Sequence, residues 1–345
     1  MKSPKVVVTG ANGFVGSCVV EALFAAGGFT IVPTSRRAHA GGRVARFGCT
    51  LAPADLADPS AVETLVTEAQ AIVHCAFGSD TDHLAATRAL LDASVAAGVK
   101  VFIHISTTEV YTTRQGTIDE DAALQSAGED YGAQKARIDQ LVRSYESKFP
   151  TLVVLRPGII YGPLSDAWTI GPTRRLLSGW RPAPEDLRGL GNFVHIADLC
   201  AIIVKVLGEP PAGLRVYNVV GPEVVPWIDY FQGLARALNV TVSAAAPSAG
   251  RKAQLGFVRT MLRVLPTSLR RRMVKLAGAI PAANRTVANW RRMHQIEPIS
   301  AEKQLYSRHV RYSTDRLVRD GFAPRVTIAQ GLRQSAEWAR QVGLA

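Results

Sequence analysis

Apolar residues in the first 160 positions follow two alternating rhythms. Short β-branched runs predict strands at 5–9 (KVVVT), 29–34, 44–50, 71–75, 101–105 (VFIHI) and 151–155. Between them, apolar positions recur every three to four residues and predict helices over about 14–26, 59–69, 82–97 and 130–148. Strand and helix in turn imply an α/β fold, a parallel sheet with helices on both faces. Ligands of such sheets bind beyond the carboxyl ends of the strands. Past Pro157 the rhythm loosens. Pro and Gly are dense from 157 to 191, one more strand is predicted at 214–220, and helices dominate the remainder. Residues 1–160, with 192–220 returning to the sheet, are assigned to a doubly wound domain. Residues 161–191 and 221–345 are assigned to a smaller, mainly helical lobe that receives substrate.

The 345 residues are 47% hydrophobic and 20% charged, as in a soluble globular protein too long for one minimal core. Cys18, Cys49, Cys75 and Cys200 form no CxxC pair and no histidines have HExxH spacing. A disulfide framework, a metal site and an oxidising compartment are disfavoured. The three valines before Thr9 are too few for a signal peptide, and no apolar run reaches 18 residues, so the chain reads as cytoplasmic. Net charge is +12, and residues 251–296 supply nearly all of it, with eleven Lys/Arg and no Asp/Glu. Phe257, Leu262, Leu265 and Leu269 interleave with those cations, a pattern for two short amphipathic helices around Pro266. Their basic face either meets water or makes a peripheral contact with an anionic membrane surface. No nucleic-acid recognition module is visible.

Chemistry begins at the first turn. In "VVVTGANGFVG" the glycines fall at Gly10, Gly13 and Gly16, after a strand and opening a helix. Gly10 permits the tight turn, Gly13 lets backbone N–H groups approach a pyrophosphate, and Gly16 lets the helix pack close. This is a dinucleotide cradle, and the sheet is Rossmann-type. The second strand ends in Ser35, Arg36 and Arg37, where an NAD site offers a carboxylate to the ribose hydroxyl. Guanidinium groups grip a 2′-phosphate instead, so NADP(H) is favoured over NAD(H).

Tyr131, Lys135, Ile138, Val142, Tyr145 and Phe149 form one stripe at helical spacing. A lysine on that apolar stripe is costly without a polar partner. A cofactor ribose over Lys135 provides one, and its charge would lower the pKa of the Tyr131 phenol one turn earlier.

These motifs, with Asp55-Leu56, "RPGIIYGP" at 156–163 and "FVHIADL" at 193–199, resemble the extended short-chain dehydrogenase/reductase family, also called the NAD-dependent epimerase/dehydratase family. The resemblance spans residues 5 to about 220. It implies Tyr131 as acid/base, Lys135 as its partner and Thr107 as the hydroxyl that holds the substrate oxygen. It implies further cofactor contacts from Asn12, Phe14 and Val15 in the loop and from Ile105 and Ser106 at a strand end. Asp55 and Leu56 would flank adenine, Cys75, Ala76 and Phe77 would line the channel, and Pro157 and Gly158 would meet the nicotinamide. Asp198 would cap the helix that follows it. A homodimer through a helical pair is also implied.

Family dehydratases carry Ser-Thr-Asp-Glu-Val-Tyr, whereas this chain has Ser106-Thr107-Thr108-Glu109-Val110-Tyr111. A threonine in place of the aspartate removes half of the elimination machinery, which disfavours a 4,6-dehydratase. The preferred reading is hydride transfer at a carbonyl or secondary alcohol of a nucleotide sugar, by reduction or epimerisation. Glu109, Arg174, Arg181 and His195 are candidate substrate contacts, with Arg175 beside them. The alternative is a membrane-surface reductase or dehydrogenase of a lipid-linked or hydroxysteroid-like substrate. A non-catalytic NADP sensor is disfavoured, since Thr107, Tyr131 and Lys135 are all present.

Overall fold

The computed structural model describes residues 3–36, 42–77, 83–180, 183–240, 298 and 300–345. The basic segment 251–296, Arg37 and Arg181 lie outside the described residues. Seven parallel strands form the central sheet: β1 (Lys5–Thr9), β2 (Thr30–Ser35), β3 (Ala52–Pro53), β4 (Ala71–His74), β5 (Val101–Ile105), β6 (Thr151–Pro157) and β7 (Gly213–Val219). Their order is β7-β6-β5-β4-β1-β2-β3. The order reverses between β1 and β4, which opens a crevice at their carboxyl ends.

Alternation along each strand feeds two cores. Val6 and Val8 of β1 and Ile103 of β5 pack under helices α1 (Phe14–Ala26) and α5 (Ile196–Gly208). Val7 and Phe102 point the other way, toward α2 (Pro59–Val66), α3 (His83–Ala96) and α4 (Tyr131–Arg143). Helix α4 starts where Asp130 accepts the Ala133 N–H at 2.8 Å, and it buries Ile138, Leu141 and Val142. Each such side chain contributes roughly 1.5–3 kcal/mol when fully buried.

One expected strand is absent. Residues 44–50 hold a helical turn, Gly42–Ala45, and the strand follows later as β3. Gly48 lies at φ +67°, which breaks an extended run, and Arg46 pairs with Glu21 of α1 at 2.8 Å. Docking on α1 outweighed local β propensity.

Outside the main sheet, Ile159–Tyr161 pairs with Phe193–His195, and Gln115–Ile118 pairs with His309–Tyr312. An aromatic cluster including Tyr161, Phe193, Trp227, Tyr230, Phe231 and Tyr306 joins α6 (Trp227–Ala237) and α7 (Ile328–Gln341). The Tyr230 hydroxyl donates to the Trp168 carbonyl. Thr327 and Gln330 form a reciprocal capping box at the start of α7.

A buried polar network ties the sheet to α4. Arg156 of β6 is fully buried and grips Asp139 of α4 with two nitrogens, at 2.8 and 2.9 Å. Its third nitrogen donates to the Tyr111 hydroxyl at 3.0 Å and the Glu120 carbonyl at 2.9 Å. Ser106 donates to Asp139 at 2.7 Å, and Tyr111 donates to Asn218 at 2.6 Å. Removing one ion strands the other without water. Asp139→Asn or Arg156→Met should therefore lower stability by about 3–5 kcal/mol in urea unfolding, with part of the loss recovered in the double variant.

Candidate active site

The turn after β1 is built for close approach. Gly10 lies at φ +65°, and a Cβ there would fall 2.8 Å from the Ala76 backbone. A Cβ on Gly16 would fall 2.3 Å from the Gly10 carbonyl oxygen. The Gly13 N–H donates to that same oxygen at 2.9 Å. Helix α1 begins at Gly13 without a side-chain cap. A helix N-terminus of this kind favours an anion.

This turn edges a cleft of about 370 Å³ whose walls include Gly10, Asn12, Gly13, Ser35, Arg36, Asp55, Leu56, Ala76 and Phe77. Asp55 Oδ1 accepts the Ala57 N–H at 3.0 Å. Phe14, Val15 and Cys75 pack instead, partly buried, against the core beneath. Burial pushes the Cys75 thiol up to about 12. The glycine cradle, the ribose-side Ser35 and Arg36, and the volume together fit a dinucleotide.

Residues that the sequence did not single out complete the floor. Thr9, His74 and His104 are register partners across β1, β4 and β5, a polar row at the ends of three apolar strands. Thr9 Oγ1 contacts His74 Nδ1 at 2.8 Å and accepts the Ala76 N–H at 3.2 Å. His74 Nε2 reaches the Thr87 hydroxyl at 3.1 Å. Burial, then the nearby Lys135 charge, push His74 down to about 3, so it is neutral. The visible signal was a polar residue at or next to the end of each apolar run: KVVVT, AIVHC, VFIHI.

Beyond Phe77, which walls the cleft and touches both Tyr131 and Lys135, stands Thr107 at the end of β5. Thr107 follows β5 and its hydroxyl oxygen accepts the Glu109 N–H at 3.2 Å, capping the short turn Thr108–Val110. Tyr131 is the first residue of α4 and 49% exposed, and the Thr107 side chain acts to lower its phenol pKa. Gly132 is required beside it, since a Cβ would lie 2.5 Å from the Glu109 carbonyl oxygen. Lys135, one turn on, is buried and donates to the Ile105 carbonyl at 2.8 Å. The Phe77 ring covers the ammonium at 4.7 Å and meets the Tyr131 ring edge-on at 5.4 Å. Ser106 is held by Asp139, and Gly158 donates to Val219 at 3.0 Å beyond Pro157. A Cβ on Gly158 would lie 2.2 Å from the Asn192 carbonyl oxygen.

The electrostatics differ from the sequence expectation. Tyr131 is raised above the ordinary phenol value, first by burial, which is partial in a half-exposed residue, and also by the Glu109 carboxylate. The Thr107 side chain opposes both. The Lys135 ammonium is turned onto the Ile105 carbonyl and the Phe77 ring. Desolvation brings Lys135 itself down from 10.5 to about 8, with Cys75 and Asp139 resisting.

Four candidate substrate residues fare differently. Glu109 is paired with Arg308 at 2.7 Å and Arg114 at 3.7 Å. Arg174 is exposed on the helix Gly171–Leu177, while Arg175 pairs with Glu302 at 2.8 Å. His195 is buried at the end of the strand Phe193–His195, where Nδ1 accepts the Ala197 N–H at 3.3 Å and caps α5. Asp198 therefore does not cap that helix. Its carboxylate accepts the Arg325 and Val326 N–H groups, both at 2.9 Å, and fastens the strap before α7.

Comparison with known proteins agrees with this geometry. The family model described as NAD dependent epimerase/dehydratase matches residues 6–220. The low-salt glycan biosynthesis protein Agl12 of Haloferax volcanii is 32% identical over 62% of this chain and 76% of its own length. A dTDP-glucose 4,6-dehydratase of Streptomyces antibioticus is 31% identical over 71% of this chain and 81% of its own length. The solved UDP-glucuronic acid 4-epimerase of Bacillus cereus, in complex with UDP-glucuronic acid and NAD, shares the fold, with TM-score 0.68 and 19% identity over 98% of this chain and 99% of its own.

Lys135 gives a pH signature. Between about 8 and 10.5 the unfolded state holds a proton that the folded state has lost, so raising the pH favours folding across that window. Chemical unfolding of the ligand-free protein should show its stability, relative to Lys135→Met, rising over that window and flat below it.

Proposed function

The chain belongs to the NAD dependent epimerase/dehydratase family and is an enzyme of the extended short-chain dehydrogenase/reductase type; from that premise we propose that it interconverts a secondary alcohol and a ketone on a nucleotide sugar, by reduction or epimerisation. The observation that carries this reading is Lys135, buried one turn after Tyr131, with both side chains against the Phe77 ring that walls the cleft. Bound in the cleft, NAD(P) supplies the hydride donor or acceptor.

Tyr131 gives its phenolic proton to a carbonyl oxygen, or takes one from an alcohol. The Thr107 hydroxyl donates to that same oxygen and fixes its position. Lys135 faces the ribose once Phe77 yields its place over the ammonium, and its charge then favours the phenolate. Gly10, Asn12 and Gly13 hold the pyrophosphate while Gly16 lets α1 pack close, and Asp55, Leu56 and Ala76 bound the adenosine side. Glycine-loop residues Phe14 and Val15 support the cradle from below, as Cys75 supports Ala76. Pro157 and Gly158 border the nicotinamide side, next to Ile105 and Ser106.

Ser35 and Arg36 at the ribose end support NADP(H) over NAD(H). Domain 1–160 with 192–220 carries cofactor, and the lobe of 161–191 and 221–345 carries substrate. A homodimer through a helical pair belongs to the same reading. A second reading rests on charge alone. Eleven Lys/Arg without an acid in 251–296 suit an anionic membrane surface and a lipid-linked substrate. Among the described residues no helix is long and apolar enough to cross a membrane.

Tyr131→Phe should lose at least about 100-fold in turnover across a panel of nucleotide sugars and apolar ketones while NADPH still binds. Full activity in that variant rejects the proposed site. Arg36→Asp should weaken NADPH binding far more than NADH binding, read by nucleotide fluorescence titration. Salt-sensitive sedimentation with anionic vesicles would favour the membrane reading over the soluble one.

A further inference from the structure

Glu109 is fixed more completely than any surface carboxylate requires. Its carbonyl accepts Gln125 Nε2 at 2.7 Å and Arg114 Nη2 at 3.1 Å. Its carboxylate receives Arg308 Nη1 on both oxygens, at 2.7 and 2.8 Å, with Arg114 Nη2 a further 3.7 Å away. Arg308 lies 199 residues along the chain, immediately before the strand His309–Tyr312. The backbone there is held in turn. Leu190 N–H donates to the Arg308 carbonyl at 2.7 Å, and a Cβ on Gly189 would lie 2.6 Å from the Arg308 nitrogen. Arg308 thus cannot shift without moving the lobe segment to which it belongs.

Glu109 also bears directly on the reacting groups. Its N–H occupies one lone pair of the Thr107 oxygen, which leaves the Thr107 proton free to point toward Tyr131. Its carboxylate acts on the Tyr131 phenol and raises its pKa.

We infer that Arg308 is a positioning residue of the Thr107–Tyr131 site, acting through Glu109: the guanidinium holds the Glu109 carboxylate, and thereby fixes the N–H that orients the Thr107 hydroxyl. The inference rests on the proposed roles of Thr107 and Tyr131 and extends them. Docking of the C-terminal segment sets the proton-transfer competence of a strand end far away in sequence. Glu109, neutralised by two arginines, is an anchor and not a base, which suits hydride transfer without elimination of water.

The test reads the Tyr131 phenol itself. The charged and titratable groups around it are Glu109 on the adjoining turn, Arg114 and Arg308 beyond it, and Tyr312, which bonds to Thr108 on that turn. Asp130 caps its own helix, Lys135 lies one turn on, and His83 stands across Phe77. Full-length protein carrying 13Cζ-tyrosine is titrated by NMR with NADP+ bound, and Tyr131→Phe identifies the resonance. Arg308→Gln should raise the Tyr131 pKa, since Glu109 loses its counter-ion. Glu109→Gln should lower it, the double variant should match Glu109→Gln, and Arg308→Lys should stay near wild type. Unchanged Tyr131 titration in both folded single variants overturns the inference. Because this readout needs no substrate, that result leaves the proposed reaction standing, whereas an active Tyr131→Phe enzyme removes the reading beneath it.

Discussion

The buried pair of Arg156 and Asp139 is the constraint on which the site depends. A guanidinium with no exposed surface is tolerable only if each of its nitrogens finds an acceptor, and here Asp139, Tyr111 and Glu120 accept from all three. Those partners come from α4, from the turn after β5 and from the loop beyond it. A slip of α4 by one residue would leave two charges in the core without compensation. The pair therefore fixes the rotation and height of the helix that carries Tyr131 and Lys135. Ser106 donates to the same carboxylate, so Thr107, its neighbour, is fixed by the same network.

Lys135 gains from this arrangement. Its ammonium lies in the interior beside neutral His74 and His104, and desolvation works against its charge. Asp139, one turn further on, opposes that desolvation, while the Ile105 carbonyl and the Phe77 face satisfy the ammonium locally. An ammonium held in readiness costs stability that the surrounding ion pair offsets. Functional sites commonly keep such a cost in the folded state.

Local chemistry made much of this legible in the sequence. The alternation that became the parallel sheet, the glycines that leave no room for Cβ atoms, and the lysine on an apolar helical stripe each act over a few residues. Short-range sterics and periodicity govern them, so they can be read without knowing what lies opposite. The misplaced strand at 44–50 marks the limit. Val44 and Phe47 suit a strand in isolation, but the turn around Gly48 and the Arg46–Glu21 pair set the chain against α1. Likewise His195 invites a substrate role by its type, and only its neighbours reveal a helix cap.

By itself, then, the sequence determined the class of fold, the cradle and the helix bearing Tyr131 and Lys135, because each follows from bond geometry and the burial of apolar stripes. Tertiary structure alone decided which charges meet. Arg156 finds Asp139 across 17 residues, Arg316 meets Asp121 across 195, and Arg308 reaches Glu109 across 199. The reason is physical: a long side chain has many exposed partners open to it in sequence space, and packing density leaves it one.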